Sequence, residues 1–91
     1  MELGDYRDRI DEIDRRMVEL FARRMEVSAE IARYKAEKGL AVRDPRREAE
    51  KLQAVAEASP EAIREYTTRL YTVMMELSRS YQARILGREV P

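Results

Sequence analysis

One helical pattern, interrupted at a single position, dominates the N-terminal part of the sequence. Ten positions spaced alternately three and four residues apart would lie on one face of a helix. They are Leu3, Tyr6, Ile10, Ile13, Met17, Leu20, Arg24, Val27, Ile31 and Tyr34. Nine of the ten are apolar or aromatic, and the exception is Arg24. The pattern therefore predicts a long helix that packs against other helices, with Arg24 pointing into the contact.

Arg24 needs a partner if it points inward. A guanidinium stays protonated in proteins, and an unpaired charge in an apolar contact is strongly destabilising. The partner is either an internal carboxylate or an anionic ligand. A third reading is a polar position that sets the register of a helical contact. The pattern alone leaves these alternatives open.

The composition indicates one small all-helical domain. The chain has 91 residues, of which 40% are charged and 44% hydrophobic, with three Gly and three Pro. Its 18 basic and 18 acidic residues cancel, so we expect no nucleic-acid partner and no membrane partner. It has no Cys and no His, and its carboxylates lack metal-ligand spacing, so we expect neither a metal nor a cofactor. We expect a soluble, cytoplasmic protein.

Start and stop signals divide the chain into three helices. The first is expected from about 4 to 38, before Gly39. Asp44-Pro45 and Ser59-Pro60 each read as a helix start. They predict a second helix over 45–58 and a third over 60–86, and residues 87–91 would form a tail or the beginning of a linker.

The third predicted helix carries two stripes. The main stripe is apolar and consists of Ile63, Tyr66, Leu70, Val73, Met74, Leu77, Tyr81 and Ile85. The flanking stripe begins apolar and ends polar, and it consists of Tyr71, Met75, Ser78 and Gln82. Its polar end should therefore adjoin something polar.

Several inward-leaning polar residues suggest a ligand site. Lys35 follows Arg24 by three helical turns, so both side chains project from one side of the helix, about 16 Å apart. The other polar positions are Glu48, Ser78 and Gln82. A small dianion would suit such a site. Fixed hydrogen-bond donors without His or Cys suit a reaction that needs only restricted conformation and stabilised charge, such as a pericyclic rearrangement.

Two of these positions have simpler explanations that the pattern does not exclude. Arg47, beside Glu48, is either a third cation of the site or an exposed surface arginine. Glu48 is either part of the site or the internal partner of Lys35 or Arg47.

Four segments give the sequence a close resemblance to the all-helical class of chorismate mutases. They are YRDRIDEID (6–14), ELFARRMEVSAEIARYK (19–35), VRDPRREAEKL (42–52) and ELSRSYQ (76–82). Together, in this order and spacing, they are specific. The resemblance implies an isomerase that converts chorismate to prephenate in phenylalanine and tyrosine biosynthesis, without a cofactor.

The resemblance also implies roles for the charged residues. Arg24 and Arg47 would bind the carboxylates of the substrate, assisted by Ser78. Arg7 of the partner subunit would bind them as well. Arg7 lies seventeen residues before Arg24, about 25 Å away along the helix, so both cannot bind one small ligand from the same chain.

The remaining roles concern the ether and hydroxyl groups of the substrate. Lys35 and Gln82 would donate to the ether oxygen whose bond breaks. Glu48, helped by the backbone near Asp44, would hold the ring hydroxyl. The four catalytic residues of this scheme are Arg24, Lys35, Glu48 and Gln82.

The assembly implied by the resemblance is an intertwined, helix-exchanged homodimer. A helix of 35 residues is too long for a 91-residue monomer to cover, which independently favours a partner. The resemblance allows a free-standing enzyme, and equally a domain fused to or associated with another enzyme of aromatic biosynthesis. Two other functions compete with the mutase: an isochorismate pyruvate lyase, and a catalytically silent dimerisation or regulatory module.

Overall fold

The computed structural model describes residues 1–87 and consists of three α-helices. They are α1 (Leu3–Lys38), α2 (Pro45–Ala58) and α3 (Arg64–Ile85), with a 3-10 turn, Glu61–Ile63, before α3. Residues 1–87 contain no strand, so the predicted all-α fold with three helices is confirmed. None of these helices is long and apolar enough to cross a membrane. Most of the predicted tail, 88–91, lies outside the described residues.

The long helix α1 has a defined signal at each end. At its start, the Asp5 carboxylate accepts a hydrogen bond from the Glu2 backbone N–H at 2.8 Å. At its end, Gly39 adopts a left-handed conformation with φ 69°. The Leu40 N–H then bonds back to the Lys35 carbonyl at 2.8 Å, which closes the helix. This closure turns the following loop back beside the last turns of α1.

The helix predicted over 60–86 begins four residues later than expected as an α-helix, at Arg64. Pro60 cannot donate a backbone hydrogen bond, and the chain first makes a tight turn in which Ile63 N–H bonds to the Pro60 carbonyl at 3.1 Å. The Arg64 side chain donates to the carbonyls of Ala56 and Ser59, at 2.7 Å and 3.3 Å. Arg64 thus bonds to backbone carbonyls at the end of α2 and fixes the corner between α2 and α3.

Helix α3 packs against both other helices, whereas α1 and α2 do not pack against each other. Small residues line the contact between α1 and α3. Ser28, Ala29 and Ala32 are buried on α1, and Met75, Gln82 and Ala83 are buried on α3. Small side chains let two helix backbones approach closely, but they bury little apolar surface. The core of a single chain is therefore thin.

The apolar faces predicted to pack against other helices remain uncovered within one chain. The nine apolar members of the α1 face are 43% to 61% exposed. On the main stripe of α3, Leu70 and Leu77 are each 47% exposed and Tyr66 is 66% exposed. The chain is also elongated, with extents of 55 × 25 × 18 Å. Intramolecular packing uses the neighbouring face of each helix, and it leaves two long apolar stripes facing outward.

Candidate active site

A cavity of about 540 Å³ opens between the three helices and the loop that precedes α2. It lies beside the thin core, where the polar end of the flanking stripe on α3 meets the middle of α1. The apolar members of its wall are Leu20, Val27, Ile31, Val42 and Met75, and the polar members are Arg23, Arg24, Ser28, Lys35, Asp44, Arg47, Glu48, Lys51, Ser78, Arg79 and Gln82.

The wall of the cavity is strongly cationic although the chain as a whole is neutral. Six of its side chains carry a positive charge and two carry a negative charge, which is an excess of four positive charges. Cationic groups that line a concave, partly enclosed space raise the local concentration of anions. The cavity therefore favours a small ligand with more than one negative charge.

Arg24 reaches the cavity from α1 and binds α3. Its Nη1 donates to Ser78 Oγ at 2.8 Å, and Arg24 is half-buried. Within residues 1–87, Arg24 forms no ion pair, so the described chain supplies a hydroxyl rather than the internal carboxylate considered from the sequence. A guanidinium has five N–H donors. Most of its donor capacity remains for a ligand.

Lys35 and Gln82 each use one donor to hold their position. Lys35 Nζ donates to the Val42 carbonyl at 3.0 Å, and Gln82 Nε2 donates to the Ser28 carbonyl at 3.0 Å. Gln82 is 8% exposed. An ammonium group has three hydrogens and an amide nitrogen has two, so both residues keep a donor to spare. The cavity thus contains two oriented donors on different helices.

The first turn of α2 presents three of the predicted site residues. Asp44 caps the helix, because its Oδ1 accepts the Arg47 backbone N–H at 3.1 Å. Arg47 is exposed at the rim, and its side chain forms no ion pair within residues 1–87. Glu48 is half-buried, and its Oε1 accepts a hydrogen bond from Arg79 Nη1 at 2.5 Å.

The fold brings seven of the eight predicted site residues to one cavity and leaves one outside. The seven are Arg24, Lys35, Asp44, Arg47, Glu48, Ser78 and Gln82. Arg7 does not line the cavity and is exposed near the start of α1. It lies about 25 Å from Arg24 along a straight helix, so it cannot act at the cavity of its own chain.

Three cations of the wall were not predicted from the sequence, namely Arg23, Lys51 and Arg79. The positions of two of them carried a signal. Arg79 follows Ser78 and lies three residues before Gln82, and Lys51 lies three residues after Glu48, so each shares a helix face with a predicted site residue. The partner of Glu48 is also different from either one considered: it is Arg79, not Lys35 or Arg47.

Comparison with known proteins identifies the family of the chain. The family profile described as chorismate mutase type II matches residues 6–83, which include seven of the cavity's predicted residues and Arg7. A T-protein of Haemophilus influenzae is 40% identical over 52 residues, which are 57% of this chain and 14% of that protein. The chain thus corresponds to a small part of that relative. No solved structure gives a significant match. On the match over residues 6–83, the chain belongs to the chorismate mutase type II family.

Proposed function

We propose that the chain catalyses the rearrangement of chorismate to prephenate in phenylalanine and tyrosine biosynthesis. The observation that carries this proposal is the cationic cavity with the two spare donors of Lys35 and Gln82. Membership of the chorismate mutase type II family supports the same reaction. Chorismate is a dianion, which matches the excess of positive charge.

The reaction requires little from the protein beyond a binding site of suitable shape and charge. Within one molecule, the ether C–O bond breaks while a new C–C bond forms, and no proton is transferred. Negative charge develops on the ether oxygen as the bond lengthens. Donors that already point at that oxygen stabilise the transition state more than the ground state. Lys35 and Gln82 fill this role in the proposal.

The other polar residues of the cavity hold the substrate in its reactive conformation. Arg24 and Arg47 bind the two carboxylates, and Ser78 orients Arg24 through their hydrogen bond. Glu48 accepts a hydrogen bond from the ring hydroxyl, which lies beside the backbone at Asp44. When the side chain and the ring of the substrate are bound at fixed positions, the reacting carbons lie close together. The entropic part of the activation free energy is therefore smaller.

We further propose that two chains form a homodimer in which each long helix serves both sites. The exposed apolar stripes of α1 and α3 support this assembly, since uncovered stripes of this length are unusual in a monomer. Two antiparallel α1 helices would bring Arg7 of the partner subunit toward Arg24. The partner would then complete the set of cations around the substrate.

The biological setting forms part of the proposal. We expect the enzyme in the cytoplasm, as inferred from the sequence. We also expect it to be fused to or associated with another enzyme of aromatic biosynthesis. The match to a T-protein supports this setting, because the aligned segment there occupies 14% of a longer protein.

Incubation of the purified chain with chorismate tests the function. The absorbance of chorismate should fall, and the product should be prephenate. Arg24→Ala should abolish nearly all activity while the chain stays folded, because the cavity tolerates a smaller residue. Arg33→Ala is the matched control, since Arg33 is an exposed arginine of the same helix and lies outside the cavity.

Other outcomes would redirect the assignment. If chorismate persists and isochorismate is split into salicylate and pyruvate, the chain is a lyase of the same fold. If neither compound reacts with a folded protein, the chain is a silent dimerisation or regulatory module. Unfolding of Arg24→Ala would mean that Arg24 is mainly a structural residue.

A further inference from the structure

Arg79 has no role in the proposed reaction so far, yet it forms an ion pair with Glu48 in the wall of the cavity. Its Nη1 donates to Glu48 Oε1 at 2.5 Å, and the contact joins α3 to the first turn of α2. We propose that Arg79 is a positioning residue that holds the Glu48 carboxylate ready for the ring hydroxyl of the substrate. This inference rests on the proposed function.

The contact occupies only one oxygen of the carboxylate. Oε1 accepts from Arg79, whereas no donor within residues 1–87 bonds to Oε2. An ionised carboxylate has two oxygens that accept hydrogen bonds. Oε2 is therefore the atom that remains for the substrate hydroxyl, and the bond at Oε1 restricts the rotation that would move it.

The surroundings of this ion pair distinguish it from a surface pair. The side chains of Arg79 and Glu48 are 20% and 23% exposed. In the other ion pair of α2, the side chains of Arg46 and Glu50 are 91% and 55% exposed. Water and salt screen exposed pairs, which restrain their side chains only weakly. The Arg79–Glu48 pair is less screened, so it can fix the position of Glu48.

Lys51 is the cation that would compete for Glu48 if Arg79 were absent. Lys51 lies three residues after Glu48 on α2 and lines the same cavity. Residues three apart on a helix are close enough for an ion pair. If Arg79 is removed, Glu48 will turn along its own helix toward Lys51, and the substrate hydroxyl will lose its acceptor.

The test compares kcat and KM for chorismate in Arg79→Met, Arg79→Lys and Arg46→Met. Methionine keeps much of the arginine stem without its charge, and lysine restores the charge. Arg46→Met removes the exposed ion pair of the same helix and serves as the matched control. All assays are run well below the melting temperature of each variant, so that the folded protein is compared.

We expect Arg79→Met to lower kcat/KM about tenfold and Arg79→Lys to recover most of that loss. Arg46→Met should behave as the wild type. In the background of Glu48→Gln, Arg79→Met should cause less than about a twofold further loss, since Arg79 acts through Glu48. If Arg79 only fastened α2 to α3, Arg79→Met would lower the melting temperature. Its effect on kcat/KM would then not depend on Glu48.

Two results would overturn the inference, and they differ from a failure of the proposed function. Unchanged kcat and KM in Arg79→Met, or full additivity with Glu48→Gln, would show that Arg79 does not position Glu48. In both cases the wild type still converts chorismate. If the wild type does not convert chorismate, the proposed function fails and this role of Arg79 fails with it.

Discussion

The amide nitrogen of Gln82 lies 3.0 Å from the carbonyl oxygen of Ser28, across a separation of 54 residues in the sequence. The bond joins α3 to α1 at the most buried part of the cavity wall, where both residues are less than a tenth exposed. It fixes which way the amide points. A donor whose orientation is set before the substrate arrives needs no reorganisation during the reaction.

Replacement of this amide should affect turnover more than binding. In the proposed reaction, Gln82→Ala removes a donor whose bond to the ether oxygen would strengthen as the C–O bond breaks, so we expect kcat to fall about a hundredfold with a much smaller change in KM. Steady-state kinetics with chorismate measure both. Thr72→Ala is the control, because that hydroxyl bonds only to its own helix, at the Thr68 carbonyl. A rise in KM at constant kcat would limit Gln82 to substrate binding.

The wild type and a Gln82→Glu variant should differ in how their rates depend on pH. An amide donates at every pH, so the wild-type rate should change little between about pH 6 and pH 8. In Gln82→Glu, only the protonated carboxyl donates, and the carboxylate repels the developing negative charge. The rate of the variant should therefore rise as the pH falls. A steep acid optimum in the wild type itself would contradict the role of Gln82.

Mixing two inactive variants tests whether Arg7 serves the partner's site. A heterodimer of Arg7→Ala and Arg24→Ala chains has one site with both arginines and one site with neither. Random exchange of subunits makes half of the dimers mixed, so the mixture should recover about a quarter of the wild-type activity. Each variant alone is the control. If Arg7 acted within its own chain, no site of the mixed dimer would be complete and no activity would return.

The exposed stripe of α1 predicts a position-specific effect on assembly. Ile13→Asp places a charge in the stripe, where Ile13 is 52% exposed in the single chain. Burying this charge against a second chain is costly. In sedimentation experiments the variant should therefore need a higher concentration than the wild type to dimerise, and its dimer should melt at a lower temperature. Val18→Asp is the control, since Val18 is 69% exposed but lies off the stripe. A wild-type chain that sediments as a monomer at micromolar concentration would rule out the dimer.

The sequence predicted the helices well because their signals are local. The three-four spacing, Gly39 and the Asp44-Pro45 pair each act through neighbouring backbone groups. The beginning of α3 was less predictable. The Arg64 side chain reaches back to the carbonyls of α2, and this contact depends on the path of the corner rather than on spacing.

The face of α1 that packs within the chain was not predicted from the sequence. Periodicity identifies an apolar face, but it does not say whether the covering surface belongs to the same chain. In the structure, the face with Ser28, Ala29 and Ala32 packs against α3, and the predicted face stays exposed. Arg24 still reaches the interior because it lies at the border between the two faces, within reach of Ser78.

The lining of the cavity was predictable where a side chain shares a helix face with another polar residue, and not where a contact joins distant segments. Lys35, Ser78 and Gln82 all line the cavity. The bond from Lys35 to the Val42 carbonyl and the pair of Arg79 with Glu48 both depend on the loop and on the angle between helices. Neither of these two contacts is indicated by a residue pattern in the sequence.

The thin core of the single chain has a consequence for how the protein exists in solution. Among residues 1–87, the buried apolar side chains are three alanines and Met75. So little buried surface stabilises a helix of 36 residues only weakly, since most of the stability of a helix in a protein comes from packing against other elements. In the proposed dimer, folding and association would be one event, and the fraction of folded protein would depend on its concentration. Dilution alone would then unfold the chain and switch off the enzyme.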